Sequence, residues 1–327
     1  MNRLVSLLAV TLLTLSAHAM LTNPPLPNID YAFAFLPGVG GLVMHGGWCE
    51  PDWEPRPDAW GLTIAGWDRV ATNGVPAMIH HSGALDLPRS VMIVCGRTAF
   101  TFSPPYTNVT FEFDGVTWQR KADLVTSVGG DVEIAYDSAR RLAVAYVAES
   151  PTAETWEYNG TNWTQRTTAT QPTPVGDGAL LQFDPIRSNV VLVADTNTWT
   201  YDGTDWSLRA SGLPTNTVVG GMAFDAARSN VVLLTTTSET WTWDGTAWTK
   251  RLPATSPTPA RGFFTLAYDP LRAVSVLFSG EAGLVHPVDT WEWDGTNWGQ
   301  FVPVPEPAAT AVLIGLMFVA RKGRKGT

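Results

Sequence analysis

The sequence predicts an all-β chain folded as a six-bladed β-propeller, and three observations carry that prediction. An aromatic pair spaced seven residues apart recurs six times, as Trp60/Trp67, Phe111/Trp118, Trp156/Trp163, Trp199/Trp206, Trp241/Trp248 and Trp291/Trp298. Five of the six pairs enclose Asp-Gly or Asn-Gly, from Asp114-Gly115 to Asp294-Gly295. About 25 residues before these turns comes aromatic-Asp-x-x-Arg with a β-branched run behind it, as in Phe183-Asp184 with Arg187 and then Asn189–Val193.

Each observation translates into a strand or a turn. Asp-Gly and Asn-Gly tolerate the positive φ of a tight hairpin, so each aromatic pair marks two antiparallel strands. Alternation in Thr290-Trp291-Glu292-Trp293 puts the two Trp on one strand face, with Thr and Glu on the other. The Asp-x-x-Arg segments, Tyr136-Asp137 with Arg140, Phe224-Asp225 with Arg228, Tyr268-Asp269 with Arg272 and a weaker Leu85-Asp86 with Arg89, mark a second hairpin per unit. Continuous apolar runs such as Val190–Val193 suit strands covered on both faces. Four strands per unit, six times over, pack best radially, where stacking buries both faces of every sheet. The units span 30–71, 75–121, 125–167, 172–210, 216–252 and 260–302, within a propeller of residues 20–302.

The last unit reads Arg261-Gly-Phe-Phe-Thr-Leu-Ala-Tyr-Asp, then Val274-Ser-Val-Leu-Phe-Ser-Gly, then Asp289-Thr-Trp-Glu-Trp-Asp-Gly-Thr-Asn-Trp, and resembles a kelch repeat. That resemblance implies four-stranded propeller blades with Gly-Gly closing the second strand. Gly46-Gly47 satisfies the pattern in blade 1, Ser279-Gly280 half satisfies it in blade 6, and blades 3 to 5 depart from it.

Composition agrees with a large β core. The 327 residues include 15 Trp, 29 Gly and 24 Pro, with 45% hydrophobic and 16% charged residues. The net charge of −9 opposes nucleic-acid binding. Residues 1–19 carry Arg3, an apolar run from Leu4 to Leu15 and Ala17-His18-Ala19, the pattern of a signal peptide. At the other end, Pro305-Glu306-Pro307 is followed by 13 apolar residues and then Arg321, Lys322, Arg324 and Lys325. As a helix that run spans about 20 Å, short of a bilayer core of about 30 Å. Residues 303–327 resemble a PEP-CTERM sorting signal. The resemblance implies a short membrane helix, an exosortase-like partner acting near Pro305, Glu306 and Pro307, and display on the surface or in the matrix of a Gram-negative bacterium. Export makes Cys49 and Cys95 either one disulfide or two buried thiols.

Residues repeated once per blade read as core and turn chemistry, so function is sought where the blades differ. The connections between second and third strands are long in blades 1, 2 and 6, which ring closure makes neighbours. They would gather Trp48, Glu50, Asp52, Trp53, Glu54, Tyr106, Glu281 and His286, an aromatic and acidic set suited to polysaccharide or a cationic protein segment. His80-His81 fall on the inner strand of blade 2, where alternation sends one toward the channel. No catalytic, metal or cofactor-binding set is assigned, since neither a copper-radical oxidase nor a sialidase constellation maps onto these residues. The expected function is a noncatalytic surface or matrix binding protein, against an extracellular glycan hydrolase or lyase.

Overall fold

The computed structural model describes residues 25–26, 28–49, 54–70, 73–98, 103–172, 179–213 and 220–304. The signal peptide, the tail with Pro305, Glu306 and Pro307, and the loop residues Glu50, Asp52 and Trp53 lie outside them.

The strands, in chain order, are β1 (Asn28–Ile29), β2 (Ala32–Leu36), β3 (Gly41–His45), β4 (Trp48–Cys49), β5 (Glu54–Pro55), β6 (Ala59–Thr63) and β7 (Gly66–Arg69). Of these, β2-β3-β6-β7 form blade 1, and β1-β4-β5 a small separate sheet. Blade 2 is β8 (Ile79–Asp86), β9 (Val91–Arg97), β10 (Tyr106–Phe113) and β11 (Trp118–Arg120), with β12 (Leu124–Thr126) added to the near end of β10. Blade 3 is β13 (Val132–Asp137), β14 (Leu142–Glu149), β15 (Thr152–Tyr158) and β16 (Trp163–Arg166). Blade 4 is β17 (Ala179–Asp184), β18 (Asn189–Ala194), β19 (Asn197–Tyr201) and β20 (Trp206–Ala210). Blade 5 is β21 (Gly221–Asp225), β22 (Asn230–Leu234), β23 (Thr240–Trp243) and β24 (Trp248–Lys250). Blade 6 is β25 (Leu266–Asp269), β26 (Val274–Phe278), β27 (Thr290–Trp293) and β28 (Trp298–Gln300). The six first strands touch in a closed cycle, so they are innermost and surround the axis. The protein is an all-β, six-bladed propeller of four-stranded blades.

Six hydrophobic clusters hold the ring, each shared by two neighbouring blades. Their repeated element is the fourth-strand Trp, which stacks on an aromatic of its own blade, as Tyr158 on Trp163 with centroids 5.0 Å apart. In blades 1 and 3 to 6 its indole N–H then reaches back to a threonine on the third strand of the preceding blade. Trp163 Nε1 donates to Thr110 Oγ1 at 2.9 Å, Trp206 to Thr155 at 2.9 Å, Trp248 to Thr198 at 2.7 Å and Trp298 to Thr240 at 2.8 Å. Trp67 donates to Thr290 at 3.1 Å and so ties blade 1 to blade 6. Tyr31 Oη also donates to the Phe278 carbonyl, and Val304 N to the Ile64 carbonyl at 2.9 Å. Among the described residues no blade borrows a strand from the other end of the chain.

The Asp-x-x-Arg pairs are more than the surface contacts their polarity suggests. Asp86, Asp137, Asp184, Asp225 and Asp269 are buried, accepting turn N–H groups and the Arg at i+3. Arg89, Arg140, Arg187 and Arg228 also lie against the next blade: Arg140 packs under Gly203, and Arg228 donates to the carbonyls of Ala273 and Asp294. Turn and inter-blade clamp are therefore one device. Cys95 is a buried free thiol in the core between blades 2 and 3, so the Cys49–Cys95 bridge is not formed. Burial pushes that thiol up to about 12.

Candidate functional site

An axial cavity of about 750 Å³ is lined by residues of all six innermost strands. Most of its wall is apolar, with Phe33, Leu180 and Met222 among the lining side chains. Polar groups gather where the first strands of blades 1 to 3 begin, on the face that carries the long loops.

The centre of that cluster is a β-bulge in β8. Register jumps from Ile79↔Arg97 to Ser82↔Cys95, so His80 and His81 together oppose Gly96. His80 takes a left-handed φ of 51° there, a conformation a non-glycine residue adopts only when its surroundings impose it. Gly96 is what makes room, because a Cβ at that position would lie 2.2 Å from His81 Cβ. The bulge separates the two imidazoles. His80 Nδ1 lies 2.5 Å from Asp131 Oδ1, at the channel mouth. His81 is buried, with Nε2 3.0 Å from the His45 carbonyl oxygen, and burial lowers it to about 4. That contact makes Nε2 the donor and fixes the tautomer of a neutral ring.

Asp131 reaches His80 through Gly129-Gly130. A Cβ on Gly130 would stand 1.6 Å from the Ala148 carbonyl oxygen, and one on Gly129 would strike the Tyr106 ring. Gly129 N donates to Glu149 Oε2 at 3.0 Å. From blade 1 comes Asp30, whose φ is 57° and whose backbone N donates to the Phe263 carbonyl of blade 6 at 3.2 Å. Asp30 Oδ2 accepts the His80 backbone N–H at 3.3 Å. Glu133, on β13, lines the same space.

The electrostatics follow from carboxyls crowded in a partly enclosed mouth. Burial, and then Asp131, raise Asp30 to about 6, against the opposing pull of His80. Burial, and then the neighbouring Asp131 and Asp30, push Glu133 well above the ordinary carboxylate range. The hydrogen bond to Asp131 raises His80. One cation completes the mouth: Arg97, 6% exposed, donates to the Gly130 carbonyl at 3.3 Å and lies 5.8 Å from the centroid of the Tyr106 ring.

The loop residues selected from the sequence distribute unevenly. Trp48 lines the cavity, and Tyr106 forms the platform beneath Arg97. Glu281 is held by backbone bonds to Gly262, beside the channel-lining Phe263. Glu54 is exposed on the small sheet, and His286 is half-buried in the blade 6 loop. Reading the sequence missed Asp30, Arg97, Asp131 and Glu133. Gly96 inside an otherwise apolar strand was the available signal, because a lone strand glycine marks a bulge or a close approach.

Neither a family model nor a curated protein sequence matches this chain. Solved structures do. A lectin from Aleuria aurantia, crystallised with α-methyl-L-fucoside, superposes with a TM-score of 0.55 at 13% identity, covering 86% of this chain and 97% of the lectin. A xyloglucanase from Xanthomonas campestris gives a TM-score of 0.54 at 14% identity, covering 86% of this chain; the match spans 46% of the enzyme. A Bacteroides thetaiotaomicron protein of unknown function gives 0.54 at 11% identity, over 81% of this chain and 67% of that one. At these identities the likeness establishes the propeller fold.

Proposed function

We propose that this is an exported, surface-sorted, noncatalytic binding or matrix protein that engages extracellular polysaccharide on the face bearing the long loops of blades 1, 2 and 6. Its blades are read as kelch-like, and its tail as a PEP-CTERM signal for an exosortase-like enzyme. The observation that carries the binding reading is Trp48, an aromatic ring at the edge of a cavity whose mouth is rimmed by carboxyls, imidazole and guanidinium. Apolar ring faces beside a few convergent polar groups are what a sugar requires. The scaffold is compatible with this reading, since the propellers it resembles include a lectin solved with a fucoside and a xyloglucanase. A glycan array probed with the purified protein tests it. Binding is expected, and Trp48→Ala or Trp53→Ala should weaken it at least tenfold; a folded protein that binds no glycan overturns the reading.

A second reading, a glycan hydrolase or lyase, draws on two carboxyls in one cavity, Asp30 and Glu133, both raised above the ordinary carboxylate range by burial. Release of reducing ends or unsaturated products from any polysaccharide on the array would establish it, and their absence would exclude it for those substrates.

A further inference from the structure

Arg97 differs from six other arginines of the propeller. Arg89, Arg140, Arg187, Arg228, Arg261 and Arg272 are all paired with carboxylates. Arg97 is nine-tenths buried and lines the axial cavity, yet among the described residues it makes no ion pair. Its one hydrogen bond goes to a carbonyl, and Nε has no partner. The carboxylates around it are committed elsewhere: Asp131 to His80 Nδ1, Glu149 to Gly129 N, and Asp30 to the His80 backbone N–H. A buried guanidinium without an anion is costly, and its planar fork matches a carboxylate better than any other common partner.

We propose that the channel mouth binds a carboxylate-bearing sugar, a hexuronate unit of an extracellular polysaccharide, with Arg97 as its counter-ion. The inference rests on the polysaccharide reading above and names the substrate class of that site. The Tyr106 ring lies against the guanidinium, Trp48 supplies an apolar face, and Glu133 adds a carboxyl to the same cavity.

The same geometry links binding to protons. The charged and acid- or imidazole-bearing groups at the mouth are Asp30 from blade 1, His80, His81 and Arg97 from blade 2, and Asp131, Glu133 and Glu149 from blade 3. An added carboxylate raises the proton affinity of every acid beside it, and by reciprocity the protonated cluster holds the anion more tightly. Affinity for a uronate therefore falls as pH rises through the titration of Asp30 near 6.

The test is calorimetric titration of the full-length protein with trigalacturonate and triglucuronate, each against its carboxyl-reduced neutral trisaccharide, at pH 5 and pH 7.5. A uronate is expected to bind at least tenfold tighter than its neutral counterpart at pH 5, and to weaken severalfold at pH 7.5. Arg97→Gln should cut that preference to threefold or less, whereas Arg97→Lys should retain part of it. Equal binding of acid and neutral forms, binding of neither, preference for a glucosamine trisaccharide, or an unchanged preference in Arg97→Gln overturns the proposal. The wild-type comparison decides even if an Arg97 variant fails to fold. Neutral glycans bound on the array without uronates would defeat this inference alone, whereas an empty array would defeat the polysaccharide reading with it.

Discussion

His80 decides the shape of the channel mouth, because its left-handed backbone turns one imidazole toward Asp131 while the next residue stays buried against blade 1. Strict alternation along a strand predicts one histidine toward the axis, and His80 is at the mouth. Alternation says nothing of its acidic partners, which are 50 residues away in sequence on either side. Asp30 is the residue whose protonation most clearly bears on stability. Its pKa of about 6 lies above the unfolded value near 3.8, so between those values the folded state holds more proton. Stability contributed by Asp30 is thus lost as pH rises from about 4 to 6 and stays lost above. Asp30→Asn keeps an oxygen to accept the His80 N–H but removes the charge. It should stabilise the protein at pH 7.5 by on the order of 1 kcal/mol, with the gain shrinking toward zero at pH 4. Urea denaturation across that range checks it, and a pH-independent difference would contradict the assignment.

At the scale of strands and turns, the recurring residues were readable as structure because each has a period and a stereochemical reason. Gly115, Gly160, Gly203, Gly245 and Gly295 have φ between 91° and 100°, as the Asp-Gly and Asn-Gly hairpins require. What periodicity could not convey was direction across the blade boundary: that Trp206 bonds to Thr155, or that Arg140 lies under Gly203. Those contacts depend on how sheets stack, and a strand pattern specifies only which face is apolar. The Trp-to-Thr bond has a testable energy. Thr155 and Trp206 are each 1% exposed, so Thr155→Val preserves volume but leaves a buried indole N–H unpaired. A loss of about 1–3 kcal/mol is expected. Equilibrium unfolding measures it; a change below a few tenths would mean that stacking alone positions the tryptophan.

The whole ring explains why the number of blades was legible and the site was not. Blade count is a sum over local repeats, each readable in about 45 residues. The site depends on stacking and closure together: the packing of blade 2 on blade 1 brings Asp30 to His80, and closure lets Phe263 of blade 6 hold the Asp30 backbone from the other side. Such a cluster has no spacing to recognise, since its members share neither a repeat position nor a motif. Closure also creates one interface unlike the others. The chain runs directly from each blade into the next except between blades 6 and 1, where side-chain packing and a few long-range bonds carry the load. An interface without a covalent tether should open locally before the rest unfolds. Thr290→Val, which removes the acceptor for Trp67, should therefore raise amide exchange selectively in β2 and β25. Thr155→Val, at a tethered interface, should instead accelerate exchange across all blades together. Equal, global exchange in both variants would mean that the ring unfolds as one cooperative unit and that its seam is as strong as its tethered joints.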